Sequence, residues 1–233
     1  MSRPEHPGFC GKGPRMKLTC AIGAIAAASG LSVGASADLV GVVGGQTNVL
    51  LDFELISSVT DLELTGVSDG VIIPGNLGSD SVAFAITSPY AETGSTDFQY
   101  DTMDFFGSFS GSIGHRGTLT FNDAITLGNF EIGYDAGLEA FTVSDTYSSL
   151  GALFEVGITD ASPLAETFDV MGDLLITENF AMILLDLGLA SSDLTGADVG
   201  DAWVQGLNQA VPSPGALALG CVAMLGSRRR RRS

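Results

Sequence analysis

Between residues 38 and 210, apolar and polar positions alternate with a period of two in one short run after another. In "TNVLLDFELI", Val49, Leu51, Phe53 and Leu55 share one parity, and Asp52 and Glu54 the other. "SVAFAIT" groups Val82, Phe84 and Ile86. "SFSGSIG" groups Phe109 and Ile113, and "TLTF" groups Leu119 and Phe121. In "ITLGNFEIGYD", Ile125 and Leu127 are followed by Phe130, Ile132 and Tyr134, with a phase shift at Gly128-Asn129 that marks a bulge or turn. Period-two runs place one side-chain set on a core and the other in water, so each reads as a half-buried strand. "EAFTV", "ALFEVGI", "DLLIT" and "FAMILLDL" add four strands, and Gly, Asn, Asp and Ser punctuate the series at hairpin intervals, as in "VSDGV" and "FNDAI". The pattern predicts an all-β domain: an antiparallel β-sandwich or flattened barrel of about ten or more strands.

One stretch reads differently. "DLTGADVGDAWVQGLNQA" sets Val199, Trp203 and Leu207 at i, i+4 and i+8, and Thr195 with Asp198 resembles a capping box. This predicts one short C-terminal helix over about 196–207, with Trp203 docked on the sheet.

Charge sharpens the division of the chain. The 233 residues carry a formal charge of -17, with 27 acids and 10 bases. Residues 38–210 hold 26 of those acids and a single base, Arg116, a formal charge of -25. Four of the remaining bases lie near the start (Arg3, Lys12, Arg15, Lys17), and five close the chain as Arg228, Arg229, Arg230, Arg231 and Arg232. So acidic a middle excludes nucleic acid as its partner. A hydrophobic content of 45% separates it from a disordered acidic chain.

The basic ends have the form of addresses. After Arg15 and Lys17, the apolar run Leu18–Val33 leads to "GASAD", where Ala35 and Ala37 flank Ser36 in a small-x-small cleavage pattern. About 16 apolar residues is short for a membrane span, which needs about 20. Residues 1–37 therefore read as a secretory signal, handled by the Sec translocon and signal peptidase and cut before Asp38. Met16 opens "MKLTC", a start of ordinary signal form. The other end, 209–233, begins with Val211, Pro212, Ser213, Pro214 and Gly215, continues through a small apolar strip to Ser227, and stops at the arginines. That strip is about 20 Å long as a helix, and the arginines hold its end on the cytoplasmic side. The "VP-x-P" motif, apolar strip and terminal arginine cluster resemble the PEP-CTERM sorting signal, in a VPxPG variant of planctomycete-like type; Ser213 stands where that signal has Glu. The resemblance covers about the last 23 residues. It implies transient inner-membrane insertion of the tail, recognition by an exosortase-like sorting protease, and delivery to the surface or exterior of a Gram-negative-type bacterium. Residues 38–208 are then the acidic extracellular domain.

Candidate chemistry within that domain is sparse. All three cysteines (Cys10, Cys20, Cys221) lie in the terminal segments, so the domain forms no disulfide, and with His115 as its one histidine it cannot assemble a structural zinc site. Oxygen ligands are abundant, which makes Ca²⁺ the reasonable cation. Its candidates are Asp193, Asp198 and Asp201, with Asp69, Asp101 and Asp104 in further dense spots. His115 lies in "GSIGHRGTLTF", in a place that predicts a strand connection. Gly114-His115-Arg116-Gly117 resembles a Gly-His-x-Gly stretch of HtaA-type haem-uptake domains, which implies haem as an alternative ligand. Tyr90, Phe98, Tyr100, Phe105 and Phe106 cluster among acids, where rings can pack in a core or stack on carbohydrate. No G-x-S-x-G elbow is present, and 26 acids make carboxylate pairs uninformative. The expectation is a secreted, sorted surface or matrix protein with a structural or binding role and no catalysis or required cofactor, in contact with extracellular polysaccharide. The alternatives are an extracellular carbohydrate-active enzyme, or a module for carbohydrate, Ca²⁺ or haem. As the domain's one base, Arg116 is expected to matter more for stability than His115.

Overall fold

The computed structural model describes residues 39–212. Along the chain run β1 (Leu39–Leu51), α1 (Phe53–Val59), β2 (Leu64–Val67), β3 (Val71–Ile72), β4 (Val82–Ile86), β5 (Gln99–Asp101), α2 (Phe105–Ser108) and β6 (Ser112–Arg116). They are followed by β7 (Thr118–Phe121), β8 (Ile125–Gly128), β9 (Glu131–Asp135), β10 (Ala140–Asp145), β11 (Gly151–Pro163), β12 (Thr167–Ile176), α3 (Glu178–Asp186) and β13 (Asp198–Ala210). The all-β expectation takes the form of a closed antiparallel barrel. The order is β4-β6-β9-β10-β11-β12-β13-β1, and the β1–β4 pairing (Thr47 opposite Phe84) closes the ring of eight strands. Closure removes the sheet edges that a sandwich would have to protect. β3 and β5 extend the sheet, and β2-β7-β8 form a separate three-stranded sheet.

The sequence patterns act locally as read. Val49, Phe84, Ile86, Leu119, Phe121, Phe130 and Ile132 all face apolar clusters. The phase shift at Gly128-Asn129 is a tight connection, with Asn129 at φ 45°. "FNDAI" turns through Asn122 and Asp123, both at positive φ, as the left-handed tolerance of these residues allows.

Three elements correct the sequence reading. The predicted C-terminal helix is strand β13, paired with β12 and β1 along its length. A spacing of four residues keeps side chains on one face of a helix and also on one face of a strand, so Trp203 and Leu207 could not separate the two. Ala202, Val204 and Gly206 turn inward instead. "FAMILLDL" is helix α3: Thr177 caps it by accepting from the Phe180 N–H at 3.2 Å, and a continuous apolar run carries no period to distinguish strand from helix. "TNVLLDFELI" stops being a strand at Leu51, because Asp52 accepts the Leu55 N–H at 2.8 Å and starts α1.

The interior has two layers. One, at the Leu51 end of β1, is built from Phe84, Leu119, Phe121, Leu174, Ile176, Leu184 and Val199, and is capped by α1, α3 and the β2-β7-β8 sheet. The other, at the Leu39 end, is aromatic, with Phe98, Tyr100, Phe105 and Phe168 in mutual contact. Ala35, Ala37 and Asp38, and the tail from Ser213 through Arg232, lie outside the described residues; Val211 and Pro212 lie within them. Among the described residues no helix is long and apolar enough to cross a membrane.

Candidate functional site

The capped end of the barrel is not filled by its side chains. A chamber of about 80 Å³ lies under α1 and α3, walled by Leu119, Phe121, Leu174, Phe180, Leu184 and Val199 among others. Interiors are close-packed as a rule, and at about 24 cal/mol per Å³ such a void costs on the order of 2 kcal/mol. Its persistence follows from construction. One wall is the barrel, held by its ladders, and the other is a cap tied at its own points. Asp61 N–H donates to Leu189 O at 2.8 Å, Asp52 N–H to Val199 O at 2.9 Å, and Asn122 Nδ2 to Asp61 O at 2.8 Å. Two of these bonds join the cap's parts to one another, and Asp52–Val199 ties the start of α1 to β13.

Three polar residues belong to the wall, and each has its polar end engaged. His115 lies within β6, almost fully buried. It is not at a strand connection, which corrects the reading of "GSIGHRG" as a turn. Its ring Nδ1 lies 3.0 Å from the Phe130 carbonyl, an acceptor only, so Nδ1 carries the proton and donates. Nε2 then has the lone pair and accepts from Thr47 Oγ1 at 2.7 Å. Burial pushes the His115 pKa down to about 4, partly opposed by the Phe130 carbonyl, and keeps the ring neutral. Thr60 Oγ1 donates to Ile56 O at 2.8 Å and accepts from Leu62 N–H at 3.2 Å. The signal that would have placed His115 inward is its parity with Ile113. For haem the arrangement does not fit: both ring nitrogens are occupied, leaving no free lone pair for an iron, and the chamber is far smaller than a porphyrin.

The candidate Ca²⁺ ligands are not brought together. Asp198 and Asp201 line a shallow groove on the outside of the barrel with Asp52, Glu54 and Asp80, but Asp193 is not part of it. Asp193 is turned onto Thr195, whose hydroxyl and backbone N–H donate to it at 2.6 and 2.9 Å and hold its carboxyl below the usual range. Asp52 is engaged as the α1 cap and Asp198 accepts from Gly200 N–H. Among the described residues no three His, Cys, Asp or Glu side chains are arranged to hold a metal ion.

The aromatic cluster divides. Phe98, Tyr100 and Phe105 are core, while Tyr90 and Phe106 are exposed. Arg116, at the end of β6, is exposed as well.

No protein-family model matches the chain, and no curated protein matches it. Among solved structures, the C-terminal domain of HtaA from Corynebacterium glutamicum is similar at 12% sequence identity and a TM-score of 0.47, over 73% of this chain and 99% of that one.

Proposed function

We propose that the chain is an exported envelope protein of a Gram-negative-type bacterium. Its N-terminal signal carries it through the Sec translocon, and an exosortase-like protease sorts it at the C-terminal segment. The barrel then serves, without catalysis, as a structural or binding module at the cell surface or in its polysaccharide matrix. The observation that carries this reading is that the first and last described strands of the barrel are neighbours. The described part of β1 runs from Leu39, and β13 ends at Ala210, just before the VPSP motif. The two strands are antiparallel neighbours from Val40–Ala210 onward, and Val211 N–H donates to Leu39 O at 2.9 Å. The first and last described stretches of the chain therefore lie side by side, at one end of the barrel. On this reading the barrel folds while both address segments are held at one membrane. The acidic exterior suits a hydrated, saline surrounding.

The test is to replace Arg228–Arg232 by serine in the host and follow the protein by fractionation. The expected result is loss of the sorted surface form and accumulation of unsorted chain. Unchanged surface delivery would overturn the sorting reading.

A further inference from the structure

We infer that the chamber under α1 and α3 is a binding site for a small apolar ligand, a short alkyl group; a ring is too large for its volume of about 80 Å³.

Water is a poor occupant. A buried water needs two to four polar partners. The three polar residues of the wall are engaged with one another or with backbone: Thr47 with His115, His115 with Phe130 O, Thr60 with Ile56 O and Leu62 N–H. The wall therefore offers carbon. Cavities of this kind stay dry and accept apolar molecules, and eight-stranded barrels are just wide enough to be filled by side chains or to hold one small ligand. Here the filling is incomplete at one end only.

The same chemistry sets selectivity. A ligand hydroxyl, amine or carboxylate would have to leave water without gaining a partner, so polar analogues are rejected. The lid is apolar on both sides. α3 lays Phe180 and Leu184 on the chamber and exposes Met182, Leu185 and, just past its end, Leu187, which gives an apolar molecule a surface to reach the cap. β1 and β13 run from the Leu39–Val211 end to the chamber end. Their 13 residues make this roughly 40 Å. If the address segments hold the first end at a membrane, the chamber end points away from it. That placement rests on the export reading, but the binding does not.

The test is methyl NMR of the purified full-length chain equilibrated with propane, with ethanol as the polar comparison. Saturable shifts are expected at the methyls of Leu119, Leu174, Leu184 and Val199, with none at Val40 and Val42 in the other layer, and ethanol should bind more weakly. Leu184→Ala enlarges the chamber and should admit benzene, which the parent is too small to hold, whereas Val199→Phe fills it and should abolish the propane shifts. Absence of chamber-methyl shifts at saturating propane in the parent would overturn the proposal, whatever Leu184→Ala shows. So would shifts that persist in a folded Val199→Phe. Should Val199→Phe not fold, the parent spectra decide. Failure of the sorting experiment would leave this result unchanged.

Discussion

At the scale of single residues, His115 and Arg116 exchange the roles that sequence position implies. Arg116 is conspicuous as the one base among 26 acids, but it is exposed, where a charge contributes about 0–1 kcal/mol. His115 is buried, neutral and engaged at both nitrogens. Arg116→Ala should therefore change urea-unfolding stability by less than about 1 kcal/mol. Thr47→Val, which leaves Nε2 unpaired in the wall, should cost about 1–3 kcal/mol. The buried ring also imposes a pH dependence of known sign. Its pKa is about 4 in the folded protein against an ordinary 6.5, so the unfolded chain takes up the proton first as pH falls. The stability it contributes is complete above pH 6.5, is lost progressively toward pH 4, and amounts to about 3 kcal/mol. His115→Gln removes the titration. Between pH 7 and 4 the parent should lose about 3 kcal/mol more than this variant, and parallel curves would contradict the burial argument. His115's parity with Ile113 was in the sequence all along. Its partners were not, because Thr47 lies 68 residues away and Phe130 acts through its backbone.

At the scale of elements, polar–apolar alternation was legible, whereas α3 and β13 were not. Thr118–Phe121 is a strand whose alternation has one physical meaning: Leu119 and Phe121 are buried and the threonines less so. α3 was hidden because its outer face, Met182 and Leu185, is as apolar as its inner one. β13 was hidden because its inward positions include Ala202 and Gly206, small residues that leave no hydrophobic period. Gly206 has its counterpart in Gly45 of β1, directly opposite in register and at φ 117°. There a Cβ would clash with the Gln205 carbonyl oxygen. Gly45→Ala should therefore destabilise the barrel by about 1–3 kcal/mol through backbone strain, with the clash adding to it. A melting temperature equal to the parent's would show that this part of β1 is not held as described. On α3, Met182→Ala should be nearly neutral (about 0.5 kcal/mol or less), while Leu184→Ala should cost about 2–5 kcal/mol.

At the scale of the whole molecule, a many-stranded all-β domain in a sandwich or flattened barrel was legible in the sequence, but closure of the strands into one ring was not. Closure depends on β1 meeting β4 as well as β13, and so on register between segments far apart in sequence. The chamber has the same origin: it lies where cap and barrel residues far apart in sequence pack incompletely, which no single stretch of residues encodes. The acidic balance was fully legible and has a global consequence. With 26 acids and one base, residues 38–210 repel themselves at low ionic strength, and salt screens that repulsion. The melting temperature should rise between about 10 mM and 1 M NaCl, and a flat or falling trend would contradict the electrostatic account. The proposed export concerns the segments that precede Leu39 and follow Val211, two residues joined by a backbone hydrogen bond. It is tested most directly by mass spectrometry of both termini of the protein recovered from the cell exterior. The expected result is an N-terminus at Asp38 and a C-terminus lacking Arg228–Arg232. A chain that keeps both terminal segments, wherever in the cell it is found, would contradict it.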